Sequence, residues 1–250
     1  ETESQQNISL ETTPPTCRMA ETLTYRKILI FWMPLAGTWL MMAVEGPYLA
    51  AIIARLDDPV TNLAAFGITL AFAIIIESPV MMLMSASTAL VEDRESYFAL
   101  RRFSYGLSAL LTLVQLAILV PPVFELLAFG LSLPDEVARH AHGGLVLMLP
   151  WTAAIGYRRF RQGLLIRKGL TKRVAYGTAV RLTTMSVTAL LVHRTSTLPG
   201  AHIAALSLSA GVILEALASR TMTAGVLRRT LEHRRDPVRL AILRLPILLS

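Results

Sequence analysis

The chain alternates long apolar stretches with short polar segments. A helix needs about 20 mostly apolar residues to cross a bilayer. Six stretches reach or approach that length, and they predict an all-α fold: a polytopic membrane helical bundle of about six transmembrane helices. The predicted spans are residues 28–54, 63–91, 105–120, 137–157, 174–192 and 202–227.

Polar and proline-rich segments divide the chain into three regions. Residues 1–24 form a polar tail that we expect to be disordered, residues 25–227 the transmembrane domain, and residues 228–250 a basic tail or the start of an incomplete seventh span. Pro121 and Pro122 should end the third span, because proline removes a donor and clashes with the preceding turn. Residues 123–133 are too short to cross and are expected in the membrane interface. Pro134 and the acidic pair after it favour the start of the fourth helix.

Composition supports a membrane protein. Of the 250 residues 54% are hydrophobic and 16% are charged, whereas a soluble domain carries about a quarter charged residues. The formal net charge of +7 could indicate nucleic acid, but cytoplasmic loops of membrane proteins also collect Lys and Arg. The distribution of the charges decides between these two explanations.

Lys and Arg lie mostly in the segments that share a side of the membrane with the N-terminus. They are Arg94, Arg101, Arg102, Arg158, Arg159, Arg161, Arg167, Lys168, Lys172, Arg173, Arg228, Arg229, Arg234, Arg235 and Arg239, against Arg55, Arg139 and Arg194 on the other side. This asymmetry predicts a cytoplasmic N-terminus, and we expect the protein in an inner or plasma membrane. Nucleic acid is therefore not an expected partner. We interpret residues 157–173 as a basic cytoplasmic loop, which contacts anionic lipid or, alternatively, attracts an anionic solute.

Two glutamates interrupt the first two spans, and each precedes a proline by two residues, as Glu45-Gly46-Pro47 and Glu77-Ser78-Pro79. Ionisable groups in spanning helices often mark transport pathways. At about 1.5 Å of rise per residue their depths differ by about 7 Å, so they could line one outward-facing cavity. Pro47 and Pro79 are predicted helix breaks, of the kind that builds sites near the middle of the membrane in transporters.

Other polar residues within the spans have a structural alternative. Arg181 and Glu215 are expected at similar depths in neighbouring helices and are predicted to form a structural ion pair. Gln115, midway along the third span, is grouped with Glu45 and Glu77 as a candidate transport residue, with interhelical hydrogen bonding as the alternative. Glu45 and Glu77 could likewise be protonated or hydrogen-bonded residues with no part in transport.

Motifs of enzymes do not occur in the sequence. There is no GxxxxGK[ST] loop, HExxH helix, GxSxG elbow or CxxC pair. Cys17 is the one cysteine, so neither a disulfide nor a cysteine-based metal site can form within one chain. His140 and His142 point apart on a helix and make a poor metal pair. No enzymatic activity, cofactor or metal is expected.

Three segments resemble a known family. WMPLAGTWLMMAVEGPYLAAIIARL and LAAFGITLAFAIIIESPVMMLMSASTALV resemble the opening helices of the MATE-like (multidrug/oligosaccharidyl-lipid/polysaccharide) transporter superfamily, and its progressive-ankylosis-like branch in particular. LPDEVARHAHGGLVLMLPWTAAIGYRRFRQGLLIRKGLTKR is similar to the fourth span and following basic loop of that superfamily. The resemblance covers about residues 26–225.

The resemblance implies two six-helix lobes around a cleft that opens alternately to either side. It implies export of organic or phosphate-containing anions, drugs or lipid-linked precursors. It places Glu45 where that branch carries an acidic residue in its first helix, whereas Glu77 rests on the physical argument alone. The chain departs from the family in having one lobe, so we expect either a truncated chain or assembly of two copies.

Three functions fit these observations. The first is a secondary transporter, or the N-terminal half of one, that exports an anionic or amphipathic solute coupled to a proton or cation. The second is a flippase for a lipid or lipid-linked precursor. The third is a non-transporting membrane scaffold or partner subunit, whose buried charges are purely structural. The expected partners are the bilayer, a small-molecule or lipid substrate, the coupling ion, and a second lobe or copy.

Overall fold

A computed structural model describes residues 24–232, and side chains as far as residue 228. This part of the chain contains helices and no strands, which confirms the all-α prediction. The predicted terminal tails, residues 1–24 and 228–250, lie almost entirely outside the described residues. The helices are α1 (Tyr25–Ile53), α2 (Pro59–Leu90), α3 (Arg94–Leu119), α4 (Pro121–Gly130), α5 (Asp135–Leu147), α6 (Leu149–Arg167), α7 (Thr171–Thr195) and α8 (Gly200–Glu232).

Four described helices are long and apolar enough to cross a membrane: α1, α2, α3 and α8. They correspond to the first, second, third and sixth predicted spans. The predicted fifth span is helical as α7, but its polar and basic content keeps it outside that group. The short apolar helix α4 lies where the sequence predicted a segment too short to cross. These helices define a multi-pass membrane protein. The described part of the chain has four such spans, whereas six were predicted.

The predicted fourth span is not one helix. It divides at Met148 into α5 and α6, with Pro150 in the first turn of α6. Proline has no N–H to give the carbonyl four residues earlier, and its ring clashes with that carbonyl. The helix therefore ends and restarts instead of running through residues 137–157. The helix is thus interrupted at Met148, whereas α1 and α2 continue past the prolines that follow Glu45 and Glu77.

Pro47 and Pro79 lie inside continuous helices, so the predicted breaks at these prolines are wrong. Pro79 frees the carbonyl of Ile75 from its helical hydrogen bond, because a proline cannot donate to the residue four positions earlier. The hydroxyl of Ser78 donates to that same oxygen at 2.9 Å. The serine before the proline thereby satisfies the freed carbonyl and lets α2 continue, as side chains commonly do for spanning helices.

The basic stretch 157–173 is mostly helix and not a loop, which corrects the sequence interpretation. Helix α6 continues to Arg167, and Arg158 and Arg159 are buried within the bundle. Arg167 lies at the end of α6 and donates to the carbonyls of Thr88 at 2.8 Å and Ala89 at 2.9 Å. These are among the last carbonyls of α2, which have no partner within their own helix.

Helix α6 runs through the middle of the bundle and packs against α2, α3 and α8. Most of its residues from Ile155 to Leu165 are buried. The largest apolar cluster includes Ile155 of α6 and Met185 of α7, and smaller clusters contain Leu164 and Leu165. Between these apolar layers, α6, α7 and α8 each contribute buried charged side chains. The fold thus positions a polar layer inside an otherwise apolar bundle.

Candidate ion-coupling site

A cavity of about 250 Å³ lies where α1, α2, α6, α7 and α8 meet. Its charged walls are Glu45, Glu77 and Arg181, and Trp151 closes one side. The structure thus brings Glu45 and Glu77 to one cavity, as their estimated depths predicted. The remaining walls are apolar or small, and they come from Met42, Ala43, Gly46, Phe66, Leu70, Ile74 and Leu208.

Glu77 is held by an indole. Trp151 Nε1 donates to Glu77 Oε2 at 2.8 Å, and both side chains are buried. Trp151 stands in the first turn of α6, directly after the break at Met148. The carboxylate of Glu77 thus accepts a hydrogen bond from a side chain that the break places in the first turn of α6. The interrupted helix therefore contributes to this site, although a different proline causes the interruption.

Glu45 is paired with Arg181. Arg181 Nη2 contacts Glu45 Oε2 across α1 and α7, and both side chains are buried. The guanidinium carbon of Arg181 lies 5.0 Å from the centroid of the Trp151 ring, which is within cation–π range. The predicted partner, Glu215, is 3.9 Å from Arg181 Nη1. Arg181 therefore lies between two carboxylates, and the closer one is Glu45.

Glu215 has its own donors. Arg158 Nη1 contacts Glu215 Oε2, and Gln162 Nε2 donates to Glu215 Oε1 at 3.0 Å. Thr178 adds a long hydrogen bond of 3.5 Å to the same oxygen. Glu215 is 1% exposed and Arg158 is fully buried. A buried ion pair is tolerated when further hydrogen bonds satisfy the remaining groups, and Glu215 meets that condition more fully than Glu45.

Arg159 forms no ion pair within the described residues, whereas Arg158 and Arg181 each contact a carboxylate. It is 3% exposed, and its Nε and Nη2 have no hydrogen-bond partner. Its guanidinium carbon is 5.8 Å from the Trp39 ring of α1. Three arginines and three glutamates lie in one buried layer, so their formal charges sum to zero. The ion pairs are nevertheless unevenly shared among them. The members are Glu45, Glu77, Arg158, Arg159, Arg181 and Glu215.

Gln115 is fully buried on α3 and is not among the residues that line the cavity. Its Nε2 donates to the Leu145 carbonyl at 3.0 Å, and its Oε1 accepts a hydrogen bond from Thr152 Oγ1. Leu145 is in the last turn of α5 and Thr152 is in the first turn of α6. Gln115 therefore joins the two sides of the helix break. This contact is the interhelical alternative considered from the sequence.

Sequence reasoning missed Trp151 and assigned Arg158 and Arg159 to a loop, and it did not consider Gln162. Hydropathy detects helices that face lipid, but α6 is enclosed by other helices and can carry polar residues on several sides. One signal was available in the spacing. Trp151, Arg158 and Gln162 recur at intervals of seven and four, which places them on one helical face.

Within residues 24–232, no group of three or more His, Cys, Asp and Glu side chains comes close enough to hold a metal. His140 and His202 have ring centroids 5.6 Å apart, and His202 Nε2 lies 3.1 Å from the His140 carbonyl. This contact uses a backbone oxygen and leaves no ligand cluster. The chemistry that the described site offers is charge pairing and hydrogen bonding in a small cavity lined by buried charged side chains.

The fold and this layer define an all-α, multi-pass membrane protein with a charged cavity in its bundle. Comparison with known proteins adds no family: no family model, no curated protein and no solved structure matches the chain.

Proposed function

We propose that this protein is a secondary transporter, or the N-terminal half of one, and that Glu45 and Glu77 bind its coupling proton or cation. The carrying observation is that two buried carboxylates from different helices share one cavity of about 250 Å³. Buried ionisable groups are costly in a membrane and commonly face a pathway. A cation that binds better in one conformation than in another biases the equilibrium between them.

The resemblance to MATE-like transporters, and to their progressive-ankylosis-like branch, supports the same proposal. On that proposal the solute is anionic or amphipathic, transport is export by alternating access, and the N-terminus is cytoplasmic. A second lobe or a second copy of the chain would complete the cleft. The test therefore compares solutes of different charge and size.

The test uses the purified chain reconstituted in vesicles that contain the pH dye pyranine. Succinate, inorganic phosphate and ethidium are added one at a time, and internal pH is recorded against protein-free vesicles. We expect at least one probe to change internal pH with the wild type. Glu77→Gln should abolish that change while the protein still inserts and reconstitutes at equal density. Glu95→Gln is the matched control, because Glu95 is exposed on α3.

Two outcomes contradict the proposal. Unchanged, still pH-dependent flux with Glu77→Gln would remove Glu77 from the coupling site. No flux of any probe with the wild type, together with lost stability in Glu45 and Glu77 variants, would favour the non-transporting scaffold.

A lipid flippase is the second candidate, because the cavity wall includes Ile74, which is 52% exposed on the outer surface of the bundle. A cavity that reaches this apolar surface could admit a lipid from the side. The same vesicles, made with a fluorescent phospholipid and treated with dithionite, distinguish it. Accelerated loss of inner-leaflet fluorescence supports the flippase, and an unchanged inner-leaflet signal excludes it for that lipid.

A further inference from the structure

Arg181 differs from the other buried cations because it is shared by two carboxylates on different helices. It contacts Glu45 of α1 through Nη2, and its Nη1 lies 3.9 Å from Glu215 Oε2 of α8. The side chain is 3% exposed and also lines the cavity. A guanidinium placed this way can change partner by a short movement of its own side chain.

The two carboxylates depend on Arg181 to different degrees. Glu215 keeps Arg158 and Gln162 as donors whatever Arg181 does. Glu45 accepts from Arg181 through Oε2, while its Oε1 is buried without a hydrogen-bond partner. A buried charge that loses its partner is strongly destabilised. Loss of Arg181 would therefore leave Glu45 in need of another cation, and Glu215 would not need one.

The surroundings of Arg181 already form a receptor for a cation. The Trp151 ring lies 5.0 Å from the guanidinium carbon, and the Glu45 carboxylate contacts Nη2 of the same guanidinium. Aromatic faces and carboxylates together favour ammonium and guanidinium groups. Five charged groups of the layer interact electrostatically with Arg181, and they are Glu45 of α1, Glu77 of α2, Arg158 and Arg159 of α6, and Glu215 of α8.

We infer that Arg181 is a tethered counter-ion that occupies the cation position of the cavity in this conformation. A coupling proton or cation at Glu45 displaces it towards Glu215, where the 3.9 Å separation shortens. This displacement removes a polar link between α1 and α7, so α1 becomes free to move. Arg181 is thus a positioning residue, and the role in transport rests on the proposed function. The competition itself is a binding property that can be tested without flux.

The test makes Trp151 the sole tryptophan of the full chain. The three tryptophans are Trp32, Trp39 and Trp151, and the first two are more than half exposed, so W32F/W39F is the parent. Emission of Trp151 is recorded in detergent during titration with guanidinium chloride, against potassium chloride at equal ionic strength. The variants are Arg181→Ala, which empties the position, and Arg181→Lys, which keeps a tethered cation. Arg173→Ala, an exposed change on the same helix, is the control.

We expect a saturable guanidinium response with Arg181→Ala and none with the parent, Arg181→Lys or Arg173→Ala at the same concentrations. If Arg181 occupies the position at least nine-tenths of the time, the apparent dissociation constant of the parent is about tenfold weaker or more. Adding Glu45→Gln to Arg181→Ala should abolish the response, since it removes the carboxylate that attracts the ion.

Equal responses in the parent and Arg181→Ala, or no response in folded Arg181→Ala, would overturn the inference. If Arg181→Ala does not fold, Arg181→Gln is used in the same titration, because its amide can still donate to Glu45. Failure of the proposed function gives a different result. In that case vesicle flux is absent with the wild type, whereas the competition between guanidinium and Arg181 is still observed.

Discussion

Trp151 Nε1 donates a hydrogen bond to Glu77 Oε2 at 2.8 Å, joining α6 to α2 inside the bundle. The bond links the two features that make the cavity unusual: a carboxylate in a spanning helix and the start of an interrupted helix. Trp151 also presents its ring to Arg181. One indole therefore contacts both a negative and a positive member of the charged layer.

Two replacements of Glu77 distinguish the contribution of its hydrogen bond to stability from that of its charge. Gln can still accept from the indole N–H, whereas Ala leaves that donor buried and unsatisfied. We expect Glu77→Ala to be less stable than Glu77→Gln by about 1–3 kcal/mol, measured by thermal unfolding in detergent. Equal stability of the two variants would show that the indole hydrogen bond contributes little.

The ion pair between Arg158 and Glu215 should be the most sensitive charged contact. Both side chains are almost fully buried, and removing one partner of such a pair costs about 3–5 kcal/mol. We expect Glu215→Ala to reduce stability more than Glu45→Ala, because Arg158 and Gln162 would lose their acceptor. The double variant Arg158→Met/Glu215→Leu should recover part of the loss, since apolar pairs often replace buried ion pairs well. A double variant less stable than either single variant would contradict this account.

The sequence identified the class of fold because long apolar helices can be recognised from their length and hydropathy. α1, α2, α3 and α8 were predicted on that basis and are found as helices that could span a membrane. α6 could not be predicted in the same way. It lies inside the bundle, where neighbouring helices replace lipid, so its arginines indicated a loop. Its true burial depends on contacts with α2, α3 and α8 that hydropathy does not encode.

The candidate site was only partly predictable for a related reason. Helical rise was enough to bring Glu45 and Glu77 to similar depth, and the structure places both on one cavity. Which partner each charge takes depends on helix rotation, which the sequence does not specify. Arg181 was expected to pair with Glu215 and lies closer to Glu45. Pro47 and Pro79 were expected to break their helices, but Ser78 shows how a neighbouring hydroxyl can satisfy a freed carbonyl.

Gln115 should stabilise the junction of α5 and α6. It bridges Leu145 and Thr152 across the break, and its loss would leave a buried carbonyl and hydroxyl without these partners. We expect Gln115→Leu to cost about 1–3 kcal/mol and to raise hydrogen exchange of the backbone amides in residues 145–152. Thr152→Val tests the same link from the other side and should give a smaller effect, because the Leu145 contact survives. If Gln115→Leu left exchange in that segment unchanged, the junction would be held by other contacts.

Gly163 should be the glycine of α6 that tolerates replacement least. A Cβ there would collide with Ser87 Oγ and would lie 2.5 Å from the backbone oxygen of Met84. The serine could change rotamer, but the backbone of α2 can yield only if the two helices separate. At Gly156 the obstacle is the Ser108 side chain and no backbone atom: its hydroxyl can rotate away, and its Cβ lies 3.3 Å from the added atom. Overpacking of this kind costs about 1–3 kcal/mol. We therefore expect Gly163→Ala to lower the unfolding temperature in detergent, and Gly156→Ala to lower it less.

Gly106→Ala on α3 is the control, because nothing lies within 4 Å of its Cβ position. Alanine is also favoured over glycine in a helix by about 1 kcal/mol. Gly106→Ala should therefore leave stability unchanged or raise it. A Gly163→Ala variant as stable as that control would contradict the close packing of α6 against Ser87 and Met84 of α2.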